Sequence, residues 1–195
     1  MLPKSLTEII NSVDYTDYDF RFRNIDLTKE FLEVEFSIND TEGSDEKVIL
    51  LMTISGTTDF FIEKNDNSAY IQLESENPLL WRFSDIQCEL YITGQTKASK
   101  ELVFDLLSIH HSLFGRYISF DPNIFRTLNN GYGLFQKGSK KLLKLYADKL
   151  HEYEYGIEAS IMSELPVEKQ YLDLKILFLG SSYFIGNNYD FRVRD

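Results

Sequence analysis

The sequence predicts an α+β domain, and three observations carry that prediction. Residues 18–93 alternate apolar and polar side chains with a period of two. Residues 99–153 change to the helical period, and residues 157–194 return to alternation. Short polar turns separate these segments, with no internal repeat and no low-complexity linker. The expected arrangement is an antiparallel β-meander in the N-terminal half, two or three helices in the middle, and further strands ending in a C-terminal hairpin. One domain over 1–195 suits the length. The alternative is a sub-boundary near 97, separating an acidic, β-rich half (1–97) from a charge-neutral half (98–195).

The elements follow in order. Pro3 in a first turn, then Leu6, Ile9, Ile10 and Val13 at helical spacing, predict an N-terminal helix. Tyr18, Phe20 and Phe22 alternate with Asp19, Arg21 and Arg23, and Leu32, Val34, Phe36 and Ile38 alternate with Glu33, Glu35 and Ser37; both are half-buried strands. The run KVILLMTIS is apolar on both faces and belongs inside a sheet. TTDFFIEK and AYIQLES around NDNS read as another hairpin, and QCELYIT completes six strands in a meander.

SKELVFDLLSIHHSLF then sets Leu102, Leu106, Ile109 and Leu113 on one stripe, with Val103, Leu107, His110 and Phe114 beside it. Ser99 can cap its start and Gly115 its end. Asp121 as N-cap and Pro122 at the first helical position begin a second helix. A third runs from about Ser139 to Tyr153. IEASIMS and YLDLKILFLG read as strands, and SSYFI and YDFRVR around GNN read as the closing hairpin.

Composition limits the function classes. Hydrophobic residues make up 43% and aromatics 14%, enough to build a core and too many for a disordered chain. The single cysteine, Cys88, excludes an internal disulfide and a multi-cysteine metal site; on an alternating strand it reads as a buried, inert thiol. The N-terminus has no long apolar run and no small-residue cleavage site, so a signal peptide is not expected, and the expected location is cytoplasmic. Net charge is −11, and all of it falls in residues 1–97, which hold 19 acidic and 8 basic side chains. Such a field disfavours nucleic acid and anionic membrane and attracts basic partners.

Few motifs approach a chemical signature. Gly133, Gly138, Ser139 and Lys140 spell GxxxxGSK, a P-loop with its last two residues exchanged, which moves the hydroxyl from the place that would hold Mg²⁺. Capping explains the stretch better: Asn130 and Gly131 end one helix, Gly138 and Ser139 start the next. Lys137, Lys140, Lys141 and Lys144 then share one face of the starting helix, as solvated surface or as a docking stripe for an acidic surface. His110 lies on an apolar stripe and is expected at the core edge with one hydrogen bond. His111 points about 100° away, so the pair cannot hold one metal. No nucleophile elbow or complete calcium loop is present.

The expected function is therefore a non-enzymatic protein-binding module, such as an inhibitor, an immunity-type protein or an adaptor. It would meet a basic partner through its acidic half, with Asp40, Glu42, Asp45 and Glu46 as candidate contacts. One alternative is a small-ligand or enzymatic site built from His111, Arg116, Tyr117, Asp121 and Arg126, where two helices meet. The other is a homo-oligomer in which the acidic sheet of one copy meets the lysine stripe of another. No cofactor, metal, nucleic acid or membrane partner is expected.

Overall fold

Alternating segments joined by short polar turns pair with their sequence neighbours, and the N-terminal strands do so. The computed structural model describes residues 4–12, 18–28, 31–40, 47–63, 70–94, 99–153 and 157–194. It begins with α1 (Lys4–Ser12), followed by β1 (Tyr18–Leu27), β2 (Phe31–Asp40) and β3 (Lys47–Ser55) in an antiparallel meander. Then come β4 (Asp59–Phe61), β5 (Ile71–Glu74), α2 (Trp81–Ser84), β6 (Gln87–Thr93), α3 (Ser99–Phe114) and α4 (Asn123–Asn130). The chain ends with β7 (Tyr132–Ser139), α5 (Lys140–Glu152), β8 (Glu158–Leu165), β9 (Lys175–Leu179), β10 (Ser182–Gly186) and β11 (Asn188–Val193). The result is the mixed α+β class, with antiparallel sheets and the main helices in the middle of the chain. Two compact units emerge: Met1–Asn77 with Asp173–Asp195, and Pro78–Leu172. Residue 97, where the composition shifts, lies outside the described residues.

The first unit holds two four-stranded sheets, ordered β1-β2-β3-β11 and β4-β10-β9-β5. The meander therefore has three strands rather than six, because β4 and β5 join the second sheet and β6 belongs to the other unit. β4 and β5 are not a hairpin either: β10 and β9 lie between them. The C-terminal hairpin is β9–β10, turned by Gly180 and Ser181 with positive φ confined to Gly180 (+61°), as a II′-type turn requires. The last two strands do not pair with each other. After Gly186 the chain crosses to the first sheet, where Asn187 N–H donates to the Ser55 carbonyl (3.0 Å) and β11 pairs with β3.

Alternation places Leu32, Val34, Phe36 and Ile38 of β2 and Leu50, Met52 and Ile54 of β3 in one core with Leu177, Leu179 and Phe184 of the second sheet. Leu6 on the apolar face of α1 joins them, fully buried. Phe184 ties the two sheets together, its ring 5.8 Å from that of Phe22 and 6.4 Å from that of Phe60.

In the second unit β6 is central, in the antiparallel order β7-β6-β8. α5 packs on all three strands, and α3 packs on α5 and α4. The buried residues of α3 are Leu102, Leu106, His110 and Phe114, while Leu107 and Phe104 are exposed. That stripe mixes the two expected from the sequence. Among the described residues, no helix is long and apolar enough to cross a membrane.

The crossing from β10 to β11 leaves no room at Gly186. A Cβ there would lie 2.5 Å from Ile54 Cγ2 and 3.2 Å from the Ser55 carbonyl oxygen. Gly186→Ala is expected to destabilise the protein by about 1–3 kcal/mol, read by denaturant unfolding. An unchanged midpoint would mean that the two sheets can separate locally at no cost.

Candidate functional site: the open face of the four-stranded sheet

Because side chains alternate across a strand, the face of β1-β2-β3-β11 turned away from the core carries the polar half of each pattern. The register sorts that face into rows. One row runs Asp26, Glu33, Thr53, Asp190, and the next runs Asn24, Glu35, Leu51, Arg192. A β-bulge between Phe22 and Asn24 shifts β1 by one residue, which brings Asn24 and Asp26 onto this face. A groove of about 350 Å³ lies along the two rows, with Asn24, Asp26, Glu33 and Glu35 at one side, Leu51 in the middle, and Arg192 and Val193 of β11 with the following Arg194 at the other.

The charges in the groove are unevenly matched. Arg192 Nε donates to Asp190 Oδ2 at 2.9 Å, and Arg194 pairs with Glu35. Asp26 and Glu33 stand directly opposite each other across the β1–β2 ladder, and no cation among the described residues pairs with either. Like charges in that position repel and destabilise the pairing. Among the described residues, the groove thus has a compensated basic side and an acidic side without a paired cation.

Net charge follows the structural units. The first unit contains 20 acidic and 9 basic residues, a net −11, and the second contains 11 of each, a net zero. The whole excess belongs to the unit that carries the groove.

Of the acidic contacts expected from the sequence, Glu42, Asp45 and Glu46 lie outside the described residues. Asp40 ends β2, opposite Tyr18. Sequence reading singled out none of the groove residues. Their signal was the polar half of the β1 and β2 alternation, but the pairing of β11 with β3 that completes the groove has no local signature.

The lysines are arranged differently from the expected helix face. Lys137 is on β7, because that strand continues to Ser139 and α5 begins only at Lys140. Lys137 pairs with Glu89 of β6, and Lys140 pairs with Glu164 of β8. The Lys137 ammonium and the Tyr91 hydroxyl (2.9 Å) together hold Glu89 below the usual carboxylate range. Lys141 Nζ sits 5.7 Å from the centre of the Trp81 ring, and Lys144 is exposed.

The GxxxxGSK stretch is strand and cap. Gly131, at φ +74°, closes α4 by donating its N–H to the Thr127 and Leu128 carbonyls. Ser139 Oγ caps α5, accepting from Leu142 N–H at 3.2 Å. Lys140 N–H donates to the Ile86 carbonyl (2.7 Å) and Lys141 N–H to Asp85 Oδ2 (2.8 Å), so the helix start offers these three donors to its own unit, not to a phosphate.

The polar residues between α3 and α4 lie mostly at the surface. His111, Arg116 and Arg126 are exposed, and Arg116 lies over the Tyr117 ring at 5.8 Å. The N-cap of α4 is Pro122 rather than Asp121, whose Oδ1 accepts from Asn123 N–H at 2.8 Å just ahead of the helix. The inward-facing histidine is His110, 5% exposed and held by two hydrogen bonds rather than one. Cys88 is buried, and burial raises its thiol pKa. Among the described residues, no group of three or more His, Cys, Asp or Glu side chains is placed to hold a metal.

No family model, no curated protein and no solved structure matches the chain.

The Asp26–Glu33 repulsion has a measurable consequence. Glu33→Gln is expected to raise stability by roughly 0.2–1 kcal/mol in low salt, with the gain shrinking as salt screens the pair. A stability loss in low salt would show that Glu33 already has a favourable partner.

Proposed function

We propose that the chain is a non-enzymatic protein-binding module that docks a basic partner on the open face of its acidic unit, as an inhibitor, antidote or adaptor does. The observation carrying this reading is the Asp26–Glu33 pair, opposed across the ladder and without a cation among the described residues, at the edge of a groove in the unit that holds the whole net charge. A cation between the two carboxylates turns a repulsion into two attractions. Arginine suits the place better than lysine: its planar fork meets two carboxylates at once, and its aliphatic stem can lie along Leu51. The net −11 field would speed encounter with a basic surface and give a rate that falls with ionic strength.

The test uses a labelled hexa-arginine peptide, with hexa-lysine for comparison, against the full chain. The arginine peptide is expected to bind more tightly, with an association rate falling on the order of tenfold between 20 and 200 mM salt. Asp26→Asn with Glu33→Gln is expected to weaken binding about tenfold or more, as loss of a charge-assisted contact does. Unchanged binding by a folded double variant would remove the groove from the mechanism. Failure of both peptides at low salt would remove the basic-partner reading itself.

A further inference from the structure

His110 is polar, nine-tenths buried and separate from the groove. Its Nε2 lies 2.9 Å from the Ile118 carbonyl oxygen, and its Nδ1 lies 2.7 Å from the Tyr146 hydroxyl on α5. A carbonyl only accepts, so Nε2 must carry the hydrogen. Nδ1 of the neutral ring is then a bare lone pair, and Tyr146 must donate to it. Each polar atom has one role, and the roles close only for a neutral imidazole. Phe114 and Phe120 flank the ring at 4.8 and 5.5 Å, and Phe120 and Phe135 each lie 6.5 Å from the Tyr146 ring.

We infer that His110 is an acid-sensitive latch: neutral, it ties the segment joining α3 to α4 onto α5, and protonated, it lets that segment go. The segment is residues 115–122, and it includes Arg116, Tyr117 and Asp121. A proton on Nδ1 would face the Tyr146 oxygen. The phenol would have to reverse and accept, and its own hydrogen would then point among aromatic rings. The charge would sit in the same cage. From α3, the titratable neighbour is His111, which disfavours a positive charge on His110. α5 offers the neutral Tyr146, β7 offers Phe135 through that tyrosine, and the segment offers a carbonyl and Phe120. Its own charged groups are used elsewhere, Arg116 over Tyr117 and Asp121 on the α4 backbone. No carboxylate of the described residues acts on the ring.

Burial accordingly holds the His110 pKa below its ordinary value. The closed form is then fully stable above the ordinary histidine pKa of about 6.5. It loses ground as pH falls below that value, because the open form takes up the proton first. With an open-form pKa of about 6.5, going from pH 7.5 to 5.5 raises the weight of the open form about tenfold.

Hydrogen exchange of the 116–121 amides, corrected for intrinsic rates, should therefore show protection falling about tenfold over that range in the full chain. In His110→Gln, which can still donate to a carbonyl and accept from a phenol but does not titrate, protection should be independent of pH. The same acid loss in that variant, or none in the unaltered chain, overturns the latch. If His110→Gln does not fold, the ¹⁵N signals of His110 decide the matter. They should report the Nε2–H tautomer at pH 7.5, and the opposite tautomer, or a charged ring there, overturns it.

Discussion

The first unit depends on strands that arrive last. β3 is bonded by β2 on one side and by β11 on the other, and β10, with all five residues buried, is bonded by β4 and β9. None of the C-terminal partners exists until Pro78–Leu172 has been made. The register shows how the chain allows this. Glu74 pairs with Ile176, and the ladder continues to Ile71 opposite Leu179, so β5 and β9 are the two arms of one hairpin with the second unit in place of its turn. Chain departure and return are neighbours across a ladder, the arrangement under which an inserted unit least disturbs its host. Closing so long a connection costs entropy that rises only with the logarithm of its length, and burial of Phe184 between Phe22 and Phe60 helps to offset it.

That connectivity explains which parts of the fold the sequence disclosed. The meander β1-β2-β3 was legible because its pairings are local and its turns are polar. So were α3 and α5, whose ends carry Gly115 and Ser139. Pairings across the insertion, β5 with β9 and β3 with β11, left no local trace, and sequence neighbours were paired in their place. β7 was missed for a different reason. Its two glycines, Gly133 and Gly138, weaken any strand pattern, and Phe135 is the extra residue of a bulge opposite Leu90 and Tyr91, which breaks the alternation. His110 was placed correctly on an apolar stripe, but its second hydrogen bond comes from α5, 36 residues on, and no periodicity announces that.

The same limits apply to the candidate site. The acidic bias was visible in the composition, and the strands that carry it were visible in the alternation. The face was not, because both rows of the groove end on residues of β11, Asp190 and Arg192, which reach it only through the β3–β11 ladder. Of the polar residues drawn together by sequence proximity, His111, Arg116, Tyr117, Asp121 and Arg126, Asp121 accepts from the backbone ahead of α4 and Arg116 lies over the Tyr117 ring.

Among the described residues, the two units differ in how far charge is matched, and the difference is sharpest at the groove. In the second unit, lysines find carboxylates within reach: Lys137 with Glu89, Lys140 with Glu164, Lys149 with Glu152. Exposed pairs of that kind contribute little to stability, but they leave the surface locally neutral. In the first unit Arg192 and Arg194 are placed to do the same, and they do so for Asp190 and Glu35. Asp26 and Glu33 lie in the row of Asp190, and no cation among the described residues pairs with them. A face chosen only for solubility gains nothing by setting two carboxylates opposite each other, since the same charges spread along the rows would repel less. A face that must hold a cation gains a site whose occupancy relieves a repulsion already present, so binding and the stability of the β1–β2 ladder draw on the same pair of residues.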